Sequence, residues 1–521
     1  MKNKLIVLTV IIFFIGIFYI IDIEGLEDFS NFVSIKNVST IDKKEFENIK
    51  KNREESKYDL IEMEYKDQQL PYDKNKDVYY FCYNNNEYNF DIHYSEKTDI
   101  KVFSDKNKMI NIIAYNKHKY KTYKVILSDF SIVNISLEDK TKNKELIEEK
   151  ESYGDVTIFD YKLLNPIKQS SKIKIRGISS KLYDKKSYTI KFIDSISGQE
   201  ISRNDILDLK PNYEYALNSM YEDESKIRDA LSNNVWREVN SNKKNNVKIK
   251  YVEVIINNEY YGLYGLQEII NDYELEKSKD NSVLYKIDSN MIVYKHNLEK
   301  DIKDSTKIVY PNKYTEKDWK YLGELMNLVY YSDSKEFKEN ILKYIDLDNF
   351  VDNFLLIESI YNFDGLLKND ILEYNINSGN FTKIPWDLDL TFGKVWDESE
   401  NLKSKNDIKL SNMLLLDAGN NQVSTYLEQR LWQNNVGNFR QKVAKRWKEL
   451  RSGFLETESF VNYANSLYDE VTESGARERE HERWPDGGYS TDNSFIEKFI
   501  RQRLPYLDSQ FLQYLDDSGE N

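Results

Sequence analysis

Two short stretches of this chain carry side chains suited to phosphoryl transfer. The first is Asn362-Phe363-Asp364-Gly365-Leu366-Leu367-Lys368-Asn369, and the second is Ile384-Pro385-Trp386-Asp387-Leu388-Asp389-Leu390-Thr391-Phe392-Gly393. Such chemistry wants one carboxylate to orient an acceptor hydroxyl. It also wants an amide and a further carboxylate to hold divalent cations against phosphate oxygens. Asp364 and Asn369 supply a carboxylate and an amide within one loop. In Asp387-Leu388-Asp389 the carboxylates alternate with an apolar residue, so an extended backbone turns both to one side, where a cation can bridge them to phosphate. Taken singly, an Asp after a helix is often a turn former, and Asp-x-Asp arises by chance in an acidic chain. The weight lies in finding all four groups in one stretch.

The elements that position them can be read from pattern. An apolar run, Phe354 to Ile360, is expected as a helix that Gly365 breaks, which places Asp364 on a loop at a rigid helix end. Ile371–Tyr374 and Phe381–Trp386 are expected as two strands joined by a turn at Asn377-Ser378-Gly379, the second delivering Asp387. Asp364 and Asn369 have the spacing of the Asp and Asn in the protein-kinase catalytic loop.

A nucleotide also needs cations. Lys186 opens the expected strand Lys186–Phe192, on one face with Tyr188, Ile190 and Phe192, and is either a cleft ligand of phosphate or a strand-end lysine reaching water. Arg176 ends the preceding strand before a turn, Gly177 to Ser180, whose amides can face phosphate. Arg228, on a helix expected over Ser225–Val239, is either a cleft cation or a partner of the acidic run Glu222-Asp223-Glu224. Glu268 closes a hairpin, Val252–Ile256 and Glu259–Gln267 around Asn257-Asn258, and can hold Lys186 or Arg228. Tyr188 and Phe381 either stack an adenine or pack the core.

The 521 residues are too many for one ordinary domain, and the 40% hydrophobic content suffices for sizeable cores. The net charge of −14 argues against nucleic acid as a partner. Cys82 is the one cysteine, so no intramolecular disulfide exists, and His93, His118, His296 and His481 are too scattered for a zinc site. Lys2 and Lys4 precede an apolar run, Leu5 to Ile23, long enough to cross a bilayer and followed by no small-residue cleavage site. Residues 1–24 are therefore expected as an uncleaved signal anchor, with the bulk of the chain on the far side of a membrane, extracytoplasmic. Residues 25–57 read as a linker. Residues 58–129 read as a small all-β, immunoglobulin-like sandwich. Residues 130–521 read as a mixed domain, strand-rich to about 280 and helix-rich from about 281 to 515, with helices at 316–331, 334–344, 347–361, 425–450, 457–474 and 494–515. The fold class is α+β, with a cleft expected between two lobes.

These segments resemble the spore coat protein H (CotH) family of atypical protein kinases. Ile173 to Ser180, Lys185-Lys186-Ser187-Tyr188, Tyr215 to Arg228, Tyr260 to Glu268, Tyr344 to Phe350, Pro385 to Gly393 and Arg483-Trp484 look like the family's motifs in the family's order. The resemblance spans roughly residues 130–515. It implies a divergent two-lobed kinase-like fold, ATP with Mg²⁺ or Mn²⁺, and phosphorylation of Ser or Thr on protein substrates, often of the spore coat. Carried over, it makes Asp364 the catalytic-loop Asp, Asn369 and Asp387 metal ligands with Asp389 as helper, and Lys186 the phosphate lysine. Ile178 stands where the family usually has Asn. Two competing readings are a non-catalytic coat-assembly scaffold, and a glycosyltransferase using Asp387 and Asp389 alone, which leaves Asp364 and Asn369 unexplained.

Overall fold

The computed structural model describes residues 29, 31–83, 88–105, 108–138, 151–177, 179–203, 206–242, 245–271, 281–287, 298–366, 369–397, 403–406, 413–417 and 423–515. The expected anchor and Ile178 lie outside the described residues. Among those described, no helix is long and apolar enough to cross a membrane. The chain forms two compact units: a smaller one from residues up to Gln69 with Asn89–Lys124, and a larger one from Leu70–Tyr88 and from Val125 onward.

The smaller unit departs from expectation. Strands Asn31–Ser34, Asp91–Tyr94, Ile61–Tyr65 and Gln68–Gln69 form an antiparallel sheet in that order. Asp99–Asp105 and Met109–Tyr115 make a hairpin. The stretch read as a linker carries the helix Lys43–Lys51, capped by the Asp42 carboxylate, which accepts from the Glu45 amide at 2.7 Å. Ile41 and Ile49 flank and ride this helix and are buried with Ile113. Its apolar residues are too few to show a period, yet each is used. The stretch expected as a linker thus carries a helix, and residues 70–88, expected within the all-β module, belong to the larger unit.

In the larger unit seven strands close into a barrel. They are β1 (Ser131–Leu137), β2 (Ser152–Phe159), β3 (Ile167–Arg176), β4 (Ser187–Phe192), β5 (Glu214–Asn218), β6 (Ile249–Ile256) and β7 (Glu259–Glu268). The barrel order is β1-β2-β3-β4-β5-β7-β6, and a parallel β1–β6 pairing closes it. Alternation decides what fills it: Ile173, Ile175, Tyr188 and Ile190 point in, while Lys172 and Lys174 stay accessible. The β6–β7 turn uses Asn257 and Asn258 at φ 47° and 61°, as the dipeptide predicts. The helix expected from Ser225 begins at Arg228 and runs to Val239 (α1).

The helix-rich part follows in the same unit. A four-stranded sheet contains β8 (Ser282–Ile287), β9 (Thr306–Tyr310), β10 (Asp370–Asn375) and β11 (Asn380–Pro385), in the order β9-β8-β10-β11. Around it lie α2 (Glu316–Tyr331), α3 (Leu347–Ile360), α4 (Phe439–Arg451), α5 (Thr457–Glu473), α6 (Ala476–Arg483) and α7 (Ser494–Phe511). Every residue of α3 from Asn349 on is buried, so it serves as the central helix of this core. The expected helix 425–450 is broken between Val423–Gln433 and α4, because Asn435, Gly437 and Asn438 adopt left-handed φ of 45°, 55° and 61°. The α+β class is as expected.

Helix α6, which the sequence did not announce, locks onto β7. The Glu480 carboxylate accepts from the Leu263 amide at 2.9 Å and from the Lys185 ammonium at 2.7 Å, with the Lys226 ammonium 3.7 Å away. Arg483 donates to the Tyr260 carbonyl at 3.0 Å and Trp484 to the Tyr261 carbonyl at 2.7 Å. Gly262, at φ 106°, permits this approach: a Cβ there would stand 2.0 Å from Glu480 Oε2. Glu480→Ala leaves two buried ammonium groups without a carboxylate and should cost about 3–5 kcal/mol in urea denaturation. Gly323→Ala, in the middle of α2 with open space at the missing Cβ, should instead add about 1 kcal/mol. A Glu480→Ala loss no larger than that of a surface substitution would show that this contact does not tie α6 to the barrel.

Candidate functional site

The site is built where α3 ends and the β10–β11 hairpin opens. Helix α3 ends at Tyr361, where the expected range 347–361 ends it, and the left-handed φ of 55° there turns the chain before Gly365. A short 3₁₀ turn, Asp364–Leu366, then presents Asp364, which is 3% exposed. Asp370 pairs with Pro385 at the hairpin's open end, so Asn369 on one side faces Trp386 and Asp387 on the other. The Asn369 carboxamide donates to Asp364 Oδ2 at 2.7 Å and to Asp387 Oδ2 at 3.2 Å. Residues distant in sequence are thereby joined through one amide.

Asp387 does not continue the strand as expected. Its φ is 59°, and Asp387-Leu388-Asp389 is irregular, with Leu388 buried in the core and Asp387 exposed. The turn is secured behind the site. The Phe392 amide donates to the Ile360 carbonyl at 2.6 Å, and the Thr391 hydroxyl pairs with that of Ser232 on α1 at 2.9 Å. Burial first, then the fields of Asp387, Asp229, Asp364 and Asp223, hold the Asp389 carboxyl well above the ordinary range.

Asp229, near the start of α1, is the group that sequence reasoning missed. It is 4% exposed, accepts from Asn218 Nδ2 at 2.7 Å and from Asn233 Nδ2 at 2.9 Å, and its pKa is pushed up to about 7, chiefly by burial and then by Asp387. Its only signal was adjacency to Arg228, which drew the attention instead.

The expected cations divide. Arg176 reaches this site: its guanidinium carbon lies 5.7 Å from the centroid of the Trp386 ring. Burial lowers its pKa against the pull of Asp387, Asp229 and Glu214. Lys286 of β8 lies 5.7 Å from the same ring. Lys186 sits just before β4, and its ammonium donates to the carbonyls of Lys181 at 2.6 Å and of Tyr183. Its neighbour Lys185 is fully buried, bound to Glu480 and to the Ser219 and Leu263 carbonyls. Burial brings it down to about 7 despite Glu480. Arg228 binds Asp223 at 2.7 Å, Glu224 at 2.9 Å and the Thr391 carbonyl at 3.0 Å, so it braces the turn from behind. Glu268 accepts from the amides of Lys210 at 2.6 Å and Lys248 at 2.9 Å, closing the end of β7. Tyr188 is buried in the barrel core, and Phe381 beneath the hairpin, 4.8 Å from Tyr374 between ring centroids.

A groove of about 470 Å³ between Leu298–Ser305 and α2 contains none of these residues. Among the described residues, no three His, Cys, Asp or Glu side chains are arranged to hold a metal by themselves. The available donors are Asp364, Asp387, Asp389 and the Asn369 amide. That amide's N–H₂ lies between two carboxylates, where a cation would also be drawn.

Residues 173–507 match the family model described as CotH kinase protein. The chain is also 28% identical over 226 residues to the inner spore coat protein H of Bacillus subtilis (strain 168). That alignment covers 43% of this chain and 59% of that protein, so the chain spans less than two thirds of the relative's length.

The raised carboxyls act against the fold as pH rises. An unfolded Asp ionises near about 3.9, whereas folded Asp229 keeps its proton to about 7. Between these values the folded protein binds more protons than the unfolded chain. The stability tied to the protonated group is therefore complete below about pH 4 and is lost as pH rises towards 7. Asp389 is shifted in the same direction. In thermal denaturation across this range, Asp389→Asn should become progressively more stable than the parent as pH rises. Parallel pH profiles for the two would place Asp389 outside the cluster.

Proposed function

The chain belongs to the CotH kinase protein family, and from that premise and the site's geometry we propose that it is an atypical protein kinase. It transfers the γ-phosphate of ATP to Ser or Thr of coat or surface proteins, and it works in the spore coat, as the name of its Bacillus subtilis relative suggests. In this reading the strand-rich and helix-rich parts are the two lobes of a divergent kinase-like fold. The observation that carries the proposal is the Asn369 amide joining Asp364 to Asp387. It explains why an Asp, an Asn and a second Asp from separate elements are brought together, which the glycosyltransferase reading leaves unexplained.

The donor set fits Mg²⁺ or Mn²⁺ arriving with a nucleotide, because Mg²⁺ is commonly held by one or two carboxylates, with waters and phosphate oxygens completing its shell. When bound, the nucleotide supplies the phosphoryl group and the cation neutralises its charge. Asn369 and Asp387 hold the cation, with Asp389 behind them. Asp364, fixed by Asn369, orients the acceptor hydroxyl and takes its proton. Arg176 supplies positive charge for phosphate, and Trp386 offers a ring face beside it. Lys186, Arg228, Glu268, Tyr188 and Phe381 brace and pack the scaffold.

One observation favours the non-catalytic scaffold instead: both Lys185 and Lys186 are bound to protein acceptors. Transfer of labelled γ-phosphate from ATP to the chain itself and to Ser-rich acceptors, with Mg²⁺ or Mn²⁺, separates the two. The parent should transfer label. Asp364→Asn should lower the rate by about 10²–10⁴-fold, and Asp387→Ala should abolish cation-dependent turnover. No transfer, together with no ATP binding by calorimetry, would leave the scaffold reading.

A further inference from the structure

Strand β3 carries Lys168, Lys172, Lys174 and Arg176 at alternating positions. Ile173 and Ile175 lie between them and fill the barrel, so the cations line its outer face. The row leads to the candidate site. Its last member, Arg176, has its guanidinium carbon 5.7 Å from the ring centroid of Trp386, the residue before Asp387. Strand β4 adds Lys191 directly opposite Lys172, and like charges facing each other across a sheet oppose strand pairing. On the other side Tyr153 of β2 is paired with Lys172, whose ammonium lies 5.9 Å from its ring centroid.

Carboxylates answer only the flanks of this row. Lys168 lies 3.3 Å from Asp155, and Lys191 lies 3.8 Å from Glu214. Among the described residues, Lys172 and Lys174 form no ion pair, although the chain has a net charge of −14. A lysine row alone serves solubility; one that opposes like charges, lacks counter-charges and ends at the site has a further use. We propose that it is the docking track for a phosphoserine-bearing segment of the protein acceptor. Alternate side chains of an extended peptide repeat about every 7 Å, as do those of β3. A segment lying along the strand therefore meets Lys172 and Lys174 in step while its next serine enters the site beyond Arg176. Phosphoserine carries close to two negative charges and three acceptor oxygens, so one group answers both ammonium groups, whereas a carboxylate brings one charge. Each transfer thus creates the group that holds the acceptor for the next. The source of that phosphate rests on the kinase reading; the affinity of the track for a phosphopeptide does not.

The test uses the full chain and three versions of one serine peptide, with phosphoserine, Glu or Ala at alternate positions on either side of the acceptor. Binding is read by fluorescence anisotropy, and transfer from ATP with Mg²⁺ as kcat/KM. The phosphoserine peptide should bind best and react fastest. Lys172→Gln with Lys174→Gln should weaken its binding and lower its kcat/KM about tenfold, leave the Ala peptide unchanged, and not lower Tm. The parent's preference should shrink as salt is raised. Equal losses for the phosphoserine and Ala peptides, or no loss for either, overturn the track. A Glu peptide that matches the phosphoserine peptide overturns the phosphoserine assignment. A parent that transfers nothing to any peptide overturns the kinase reading, and the anisotropy comparison still decides the track.

Discussion

The larger unit depends on one buried carboxylate. Glu480 sits between Lys185, Lys226 and the Leu263 amide, all inside the protein. Burying two ammonium groups is expensive unless each finds a counter-charge and full hydrogen bonding. Here the remaining ammonium protons go to the carbonyls of Ser219, Leu263 and Met220. The arrangement joins strand β7, the approach to β4 and helix α6 at one point. Two residues beyond Lys226, Arg228 carries the same rigidity to the Thr391 carbonyl, and so to the turn that displays Asp389 and Asp387.

On that support the protein collects like charges that would otherwise repel one another apart. Asp229, Asp364, Asp387 and Asp389 share one region, and its counter-charges are an amide dipole and a half-buried guanidinium. The backbone is also out of its preferred state there. Tyr361, Asn369, Asp387 and Phe392 all lie at φ between 52° and 60°, each costing of order 1 kcal/mol or more for a side chain with a Cβ. Strain and like-charge crowding persist only where the surroundings over-determine them. Here they are clustered round one carboxylate–amide–carboxylate bridge.

Much of this was legible in local pattern. Helix α2 and strand β4 follow from apolar spacing, the β6–β7 turn from Asn-Asn, and the β10–β11 hairpin from Asn-Ser-Gly between apolar runs. Asp364, Asn369 and Asp387 stood out by type and spacing and do meet. What failed did so for identifiable reasons. The helix Lys43–Lys51 has too few apolar residues to show a period. The break at Asn435 to Asn438 was overridden by a helical pattern running on both sides. Strand β2 is interrupted by Asp155 and Thr157, which alternate away from the barrel core, and strand β5 is only five residues long, with polar residues at both ends.

The sequence alone determined which short segments become helices and strands and which residue types enter the candidate site, because periodicity and turn chemistry act over a few neighbouring residues. Only the tertiary structure decided what each charged group does. Lys185, not Lys186, is the fully buried lysine, and its carboxylate lies 295 residues away. Arg228 turns to a carbonyl 163 residues away, and Asp229 joins the cluster from a helix that shares no local pattern with it. The partner of a buried charge is chosen by the low-dielectric surroundings that burial creates, and those surroundings exist only once distant elements have packed.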